Sequence, residues 1–170
     1  VSFFEDFCVT DIDYSPQQAL AALLEHYTPQ RILRVGQSSL PALEAFAQAH
    51  PCQLDHAQSA PLPESLSTQR YDLALVADCL EHLPKRTGLE LLGGLRNLNA
   101  NRLVVLIDLE AAGWQITDFY ALALQVNGRF QRDSQTLTLF TYDLLDYKQA
   151  PDWLNAKFWA NPSLFGKFWW

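Results

Sequence analysis

Chemistry concentrates in YDLALVADCLEHLPK, residues 71–85, where an apolar run ends in Asp78, Cys79, Glu81 and His82. A histidine at such a point can act as a general base, because its unperturbed pKa lies near neutrality. His82 is therefore the candidate catalytic residue. The same residues also have a structural reading. Asp78-Cys79-Leu80-Glu81 has the spacing of a capping box, and a carboxylate near a helix start is favoured by the backbone dipoles. Cys79 reads as a buried, reduced thiol. With His82 and the distant His56 it has no spacing that matches a zinc site, so no metal is expected. No serine sits in a G-x-S-x-G elbow. A second stretch, Arg34-Val35-Gly36-Gln37-Ser38-Ser39-Leu40, closes another apolar run with a glycine turn. Arg34 there is suited to attracting a phosphate or a carboxylate.

These loops must be held by the elements around them. Ser15-Pro16-Gln17-Gln18 combines an N-cap serine, a proline at the first helical position and a glutamine three residues after the cap. It opens a helix with Leu20, Leu23, Leu24 and Tyr27 on one face, stopped by Thr28-Pro29. Residues 31–36 form a short strand, and 39–50 a helix with Leu40, Leu43 and Phe46 inward. Residues 52–57 suit a second strand and 59–69 a turn. The strand at 71–77 leads to a helix from Pro84 to about Leu98, with Leu91, Leu92, Leu95 and Leu98 inward. Residues 102–108, almost all Val, Leu and Ile, read as a strand buried on both faces. Residues 114–128 suggest a helix capped by Asn127-Gly128, before two extended runs close enough to pair as a hairpin.

The alternation predicts an α/β fold: a doubly wound, mostly parallel sheet of about six strands with helices on both faces and an antiparallel hairpin at the end. In such sheets ligands sit beyond the carboxyl ends of the strands, where strand order reverses. The loops after Val35, Ala77 and Asp108 are the ones so placed.

Composition narrows the function. The 170 residues suit one domain, and 12 Lys plus Arg against 19 Asp plus Glu give a net charge of −7. That field repels polyanions, so nucleic acid is not an expected partner. No run approaches the about 20 apolar residues of a membrane-spanning helix. Neither does the start of the chain have the make-up of a signal peptide, which makes the cytoplasm the expected location. Cys8, Cys52 and Cys79 are too widely spaced for a disulfide framework, and Cys52 and Cys79 read as buried.

Residues 71–108, YDLALVADCLEHLPKRTGLELLGGLRNLNANRLVVLID, resemble the carboxyl half of the nucleotide-binding core of class I S-adenosylmethionine-dependent methyltransferases. In that family an apolar strand leads through LEH to a helix and a second apolar strand. The helix and hairpin at 114–142 are similar to the family's ending, and the resemblance extends over roughly residues 30–142. It implies a methyltransferase-like Rossmann fold, S-adenosylmethionine as cofactor, and methyl transfer to an unnamed acceptor. It also places Asp78, Cys79 and Leu80 under the cofactor.

The first loop departs from the family's D/E-x-G-x-G-x-G pattern. Gly36 matches, but Arg34 replaces the acid, Ser38 the second glycine and Leu40 the third, with Gln37 between. A cation set toward the cofactor's own cationic end costs about 1 kcal/mol in water at ~4 Å, and more when partly buried. Asp55, 19 residues beyond Gly36, has the spacing of the acid that takes the ribose hydroxyls. Alternatively, Asp55 lies on the family's third strand, the second being shortened or absent.

Residues 143–170 hold eight of the 21 aromatic residues and fall outside the resemblance. The expected division is a methyltransferase-like domain over 1–142, including the N-terminal helix, and an aromatic arm over 143–170 packed upon it. The arm also suits a protein partner or a homodimer interface, where Trp and Tyr concentrate binding energy. Two functions are open: a methyltransferase with a reduced cofactor site acting on a small-molecule or macromolecular acceptor, as the resemblance implies, or a non-catalytic binding or regulatory protein using the arm or a repurposed crevice.

Overall fold

The computed structural model describes residues 15–132 and 135–147. The elements run α1 (Pro16–Tyr27), β1 (Arg31–Val35), α2 (Pro41–Ala49), β2 (Gln53–Ala57), α3 (Glu64–Ser67), β3 (Tyr71–Ala77), α4 (Lys85–Gly94), β4 (Ala100–Asp108), α5 (Leu109–Ala112), α6 (Ile116–Tyr120), β5 (Gln125–Arg132), β6 (Gln135–Asp143) and α7 (Leu144–Tyr147). They build one six-stranded sheet in the order β2-β1-β3-β4-β6-β5. The first four strands are mutually parallel, and β6 is antiparallel to both β4 and β5. This is the doubly wound α/β sheet with a terminal hairpin that the alternation predicts. The aromatic arm lies outside the described residues, except that its first residues end β6 and form α7.

The sheet is covered on both faces because its strands alternate two apolar sets. Leu33 and Val35 of β1, Ala74 and Val76 of β3, and Leu103, Val105 and Ile107 of β4 pack with Leu91, Leu92 and Leu95 and with Trp114, Phe119 and Phe140. Ile32, Leu73, Leu75, Val104 and Leu106 face the other way, onto Leu20 and Leu24 of α1 and Leu43 and Phe46 of α2. The α1 start is as expected: the Gln18 N–H donates to Ser15 Oγ at 3.2 Å and the Ser15 N–H to Gln18 Oε1 at 2.9 Å. The entry to β1 is pinned to β3, since the Gln30 and Arg31 N–H groups both donate to the Asp72 carboxylate, at 2.9 and 3.0 Å. Among the described residues no helix is long and apolar enough to cross a membrane.

Three expectations need correction. The helix expected over 114–128 is confined to Ile116–Tyr120. It ends where the Leu124 N–H donates to the Phe119 carbonyl and the Ala123 N–H to the Tyr120 carbonyl, with Ala123 in the left-handed region at φ 62°. That is the hydrogen-bond pattern of a Schellman motif, closed by alanine where glycine is usual. Asn127-Gly128 is then no helix cap but part of β5, at a register shift between Val126 and Gly128 opposite β6. Strand pairing has overridden the helical periodicity. The helix expected to reach Leu98 gives way after Gly94 to a π-turn over Leu95–Asn99. The wider turn shifts the phase of the last residues, so Leu98 is 67% exposed rather than inward. Cys52, finally, is only partly buried, whereas Cys79 is buried as expected.

The stack of Phe119 on Phe140, with ring centroids 4.0 Å apart and both side chains inaccessible, ties α6 to the hairpin. Phe119→Ala is expected to lower unfolding free energy by about 3–5 kcal/mol, with an unchanged denaturant slope, in a urea titration.

Candidate functional site

The chain leaves β1 for β2 on one side and returns to β3 on the other, so strand order reverses between β1 and β3. Their carboxyl ends bring together the loop at 36–40 and the loop at 78–84, the position at which such sheets take ligands.

The floor is set by Gly36. Its φ is +142°, and a Cβ there would lie 1.7 Å from the Ala77 carbonyl oxygen, so only glycine lets the two strand ends close. Its N–H donates to the Ala57 carbonyl at 2.9 Å, and the Gln37 N–H to the Asp78 carbonyl at 3.3 Å. His56 on β2 donates from Nε2 to the Gly36 carbonyl at 2.8 Å. His56 is thus a positioning residue for the loop, a role its separation of 20 residues from Gly36 conceals in the sequence.

Asp78 is the centre of the polar cluster. Its backbone is left-handed at φ 51°, a conformation that Asp and Asn tolerate better than most side chains. One carboxylate oxygen accepts the Ser38 hydroxyl and the other accepts Nε2–H of His82 at 2.8 Å. The Ser38 bond first, and the His82 bond second, hold its carboxyl below the usual range. An ionised carboxylate only accepts, so the neutral His82 ring carries its lone pair on Nδ1. Both side chains reach solvent, at 39% for Asp78 and 50% for His82. The capping box read at 78–81 is absent: Cys79 is the N-cap of a short 3₁₀ turn over Leu80–His82 without a side-chain bond. The Glu81 carboxylate instead accepts the Asp108 N–H at 3.2 Å, joining the β3 loop to the end of β4. Asp108 in turn caps α5 through the Ala111 N–H at 3.2 Å.

The other residues singled out in the sequence divide. Gln37 is exposed at the crevice, while Cys79 and Leu80 direct their side chains into the core beside α4. Burial, helped by the charges of Glu81 and Asp78, pushes the Cys79 thiol up to about 11, which leaves it protonated and inert as a nucleophile. Arg34 shares strand parity with Ile32, on the face covered by α1 and α2, and Nη2 donates to the Ser38 carbonyl. Its charge is spent on the loop's own backbone. Leu40, at the family's third glycine position, is buried against α1 and α2. Asp55 lies mid-strand on β2, which pairs beside β1, and so occupies the second-strand position. Its carboxylate accepts the Tyr71 hydroxyl at 2.8 Å. Burial, then that bond and the charge of Asp55, raise the Tyr71 phenol to about 12. Among the described residues no three His, Cys, Asp or Glu side chains gather as a metal site.

This sheet is that of the class I methyltransferase-like fold. Magnesium protoporphyrin IX methyltransferase from Synechocystis PCC 6803, solved with bound S-adenosylmethionine, superimposes with a TM-score of 0.52 at 14% identity, over 74% of this chain and 77% of its own. Burkholderia thailandensis 1,6-didemethyltoxoflavin-N1-methyltransferase, solved with S-adenosylhomocysteine, covers 76% of this chain and 78% of its own at 13% identity, with a TM-score of 0.47. The N-terminal domain of EvdMO1 with S-adenosylhomocysteine and D-fucose gives 12% identity, coverage of 79% and 84%, and a TM-score of 0.49. The superposition on the first of these is a likeness of fold alone. The chain belongs to DUF6231, a family of unknown function, whose model matches residues 14–170. A search of curated proteins found no match.

Two outcomes test this geometry. Gly36→Ala is expected to destabilise the fold by about 3 kcal/mol or more, because neither the Ala77 carbonyl nor the positive φ can accommodate a Cβ. Asp78→Asn keeps the left-handed backbone while removing the charge. The lowered Asp78 pKa gives the native protein stability that is complete above the unfolded value, near 4, and is lost as pH falls through the folded value. Unfolding titrations across that range should show a gap between native and variant proteins at neutral pH that closes on acidification.

Proposed function

We propose that the protein is an S-adenosylmethionine-dependent methyltransferase whose cofactor crevice opens at the carboxyl ends of β1 and β3. The observation that carries this reading is the ionised, half-exposed carboxylate of Asp78, held between Ser38 and His82 where the strand order reverses. A negative group at that point suits the cationic end of the cofactor. It stands in for the acid missing from β1, and Arg34, turned onto the Ser38 carbonyl, no longer opposes a positive ligand.

Gly36, Gln37 and Ser38 on one side, and the backbone of 78–80 on the other, are the residues that would hold the ligand. Asp55, mid-strand on β2 and engaged by Tyr71, is not placed to take the ribose. Gln58 and Ser59, immediately after β2, are the polar residues left at that strand end. When bound, S-adenosylmethionine supplies a methyl group already activated on a positively charged sulfur, so the protein's tasks are alignment and proton removal. His82 answers the second task. Asp78 fixes the ring and leaves Nδ1 free to take a proton from a small-molecule acceptor, and the carboxylate then stabilises the imidazolium.

Calorimetric titration with S-adenosylmethionine and with S-adenosylhomocysteine tests the reading. Saturable binding is expected, and Asp78→Asn should weaken S-adenosylmethionine by about tenfold, about 1.4 kcal/mol. If neither compound binds even at millimolar concentration, the proposal fails, and the fold is better read as a non-catalytic binding or regulatory protein.

A further inference from the structure

At the end of the sheet where the parallel strands begin, opposite the loops at 36–40 and 78–84, a cavity of about 370 Å³ opens. It lies between Gln30 ahead of β1, Asp72 in β3, Arg102 in β4 and Asp143 at the end of β6. That volume is within the range of small-molecule sites. Two of its charged groups, of opposite sign, are each anchored through one atom. The Arg102 Nε–H donates to Asp143 at 2.9 Å, and the guanidinium carbon sits 4.5 Å from the centre of the Tyr27 ring. Both Asp143 oxygens are engaged, since the second accepts the Leu145 N–H at 2.9 Å. On Asp72, Oδ2 accepts the Gln30 and Arg31 N–H groups. The remaining atoms are free. Among the described residues neither Nη of Arg102 nor Oδ1 of Asp72 has a hydrogen-bond partner, and none of the three is sealed from solvent.

The ion pair ties β4 to β6, which leaves the outer edge of the guanidinium without a structural task. Pairing of Leu73 with Arg102 puts Asp72 one step away on the neighbouring strand, about 4.8 Å across. Alternation points the two side chains to opposite faces, and the cavity that both line crosses the strand ends. A ligand there meets a planar pair of donors, a carboxylate oxygen, and the apolar surface of Tyr27, Leu144 and Leu145. Leu145 is 66% exposed, so this side stays open. An anion alone would be repelled by Asp72 and by the chain's net charge of −7, and a cation alone would leave the Arg102 donors unmet. A molecule bearing both charges answers both groups and is neutral overall. Its hydrogen bonds are charge-assisted, and such bonds are about twice as strong as neutral ones. We propose that the cavity binds a small zwitterion of the α-amino-acid class. Its carboxylate lies on the Nη atoms of Arg102, its ammonium on Oδ1 of Asp72, and its side chain against Tyr27, Leu144 and Leu145.

Calorimetric titration of the native chain with each of the twenty common amino acids reads this site. At least one is expected to saturate at millimolar concentration or below. Its amide and its N-acetyl derivative, each missing one charge, are expected to bind at least about tenfold more weakly. Asp72→Asn keeps an oxygen for the Gln30 and Arg31 N–H groups and removes the charge. Arg102→Lys keeps the charge and removes the planar fork. Both variants are expected to weaken the amino acid by about tenfold with unchanged far-ultraviolet circular dichroism. Arg102→Lys should leave S-adenosylmethionine binding as in the native protein, because the crevice is at the other end of the sheet. Failure of all twenty to bind would overturn the proposal. So would an affinity that neither variant changes, which would put the amino acid elsewhere. Equal binding of the amide and N-acetyl forms would also overturn it, since the ligand would then need no charge.

Discussion

Everything at the crevice depends on how closely two strand ends approach. The Ala77 carbonyl occupies the place where a side chain at residue 36 would begin, so β1 and β3 can finish side by side only because that side chain is absent. Once they do, Gln37 comes within hydrogen-bond reach of the Asp78 backbone, and Ser38 reaches the Asp78 carboxylate, although 40 residues separate the two side chains. His82 completes the cluster from the turn immediately beyond. The carboxylate therefore owes both its position and its depressed pKa to a steric condition on a neighbouring residue.

The same approach changes how the altered glycine motif should be read. The first glycine serves the sheet rather than a ligand, whereas the second and third positions carry a serine that binds Asp78 and a leucine that fills the core. Arg34 looks hostile to a cationic ligand in one dimension. In three it lies on the helix-covered face and neutralises part of a carbonyl dipole within its own loop. Beside the end of β1 the carboxylate is thus supplied by Asp78 on β3's loop, one strand away from the position that Arg34 occupies.

Much of this was legible in the residues and some was not. Near-continuous apolar runs between helical patterns announced the parallel strands, and the Ser15 box announced α1, because both signals are local and were realised locally. The direction of Arg34 was not legible, since alternation sets it opposite to Leu33 and Val35 but says neither which helices cover that face nor that the Ser38 carbonyl would take its guanidinium. The end of α6 was hidden because an alanine, not a glycine, takes the left-handed position. The capping box at 78–81 misled because Asp78 adopts that same unusual backbone and spends its carboxylate on Ser38 and His82. The orienting partner that His82 lacked in the sequence was its neighbour four positions earlier, once the turn had brought them together.

The register shift between Val126 and Gly128 has a consequence for how the molecule behaves among its own copies. An outer strand offers unpaired amides and carbonyls to any other strand, and flat outer strands invite sheets to grow from one molecule into the next. A bulge bends and twists the strand that carries it, spoiling the straight row of donors and acceptors that a second sheet would need. At the opposite border β2 spans only Gln53–Ala57 and shows water mainly polar residues. Both borders of the described sheet are in this way poor templates for a further strand.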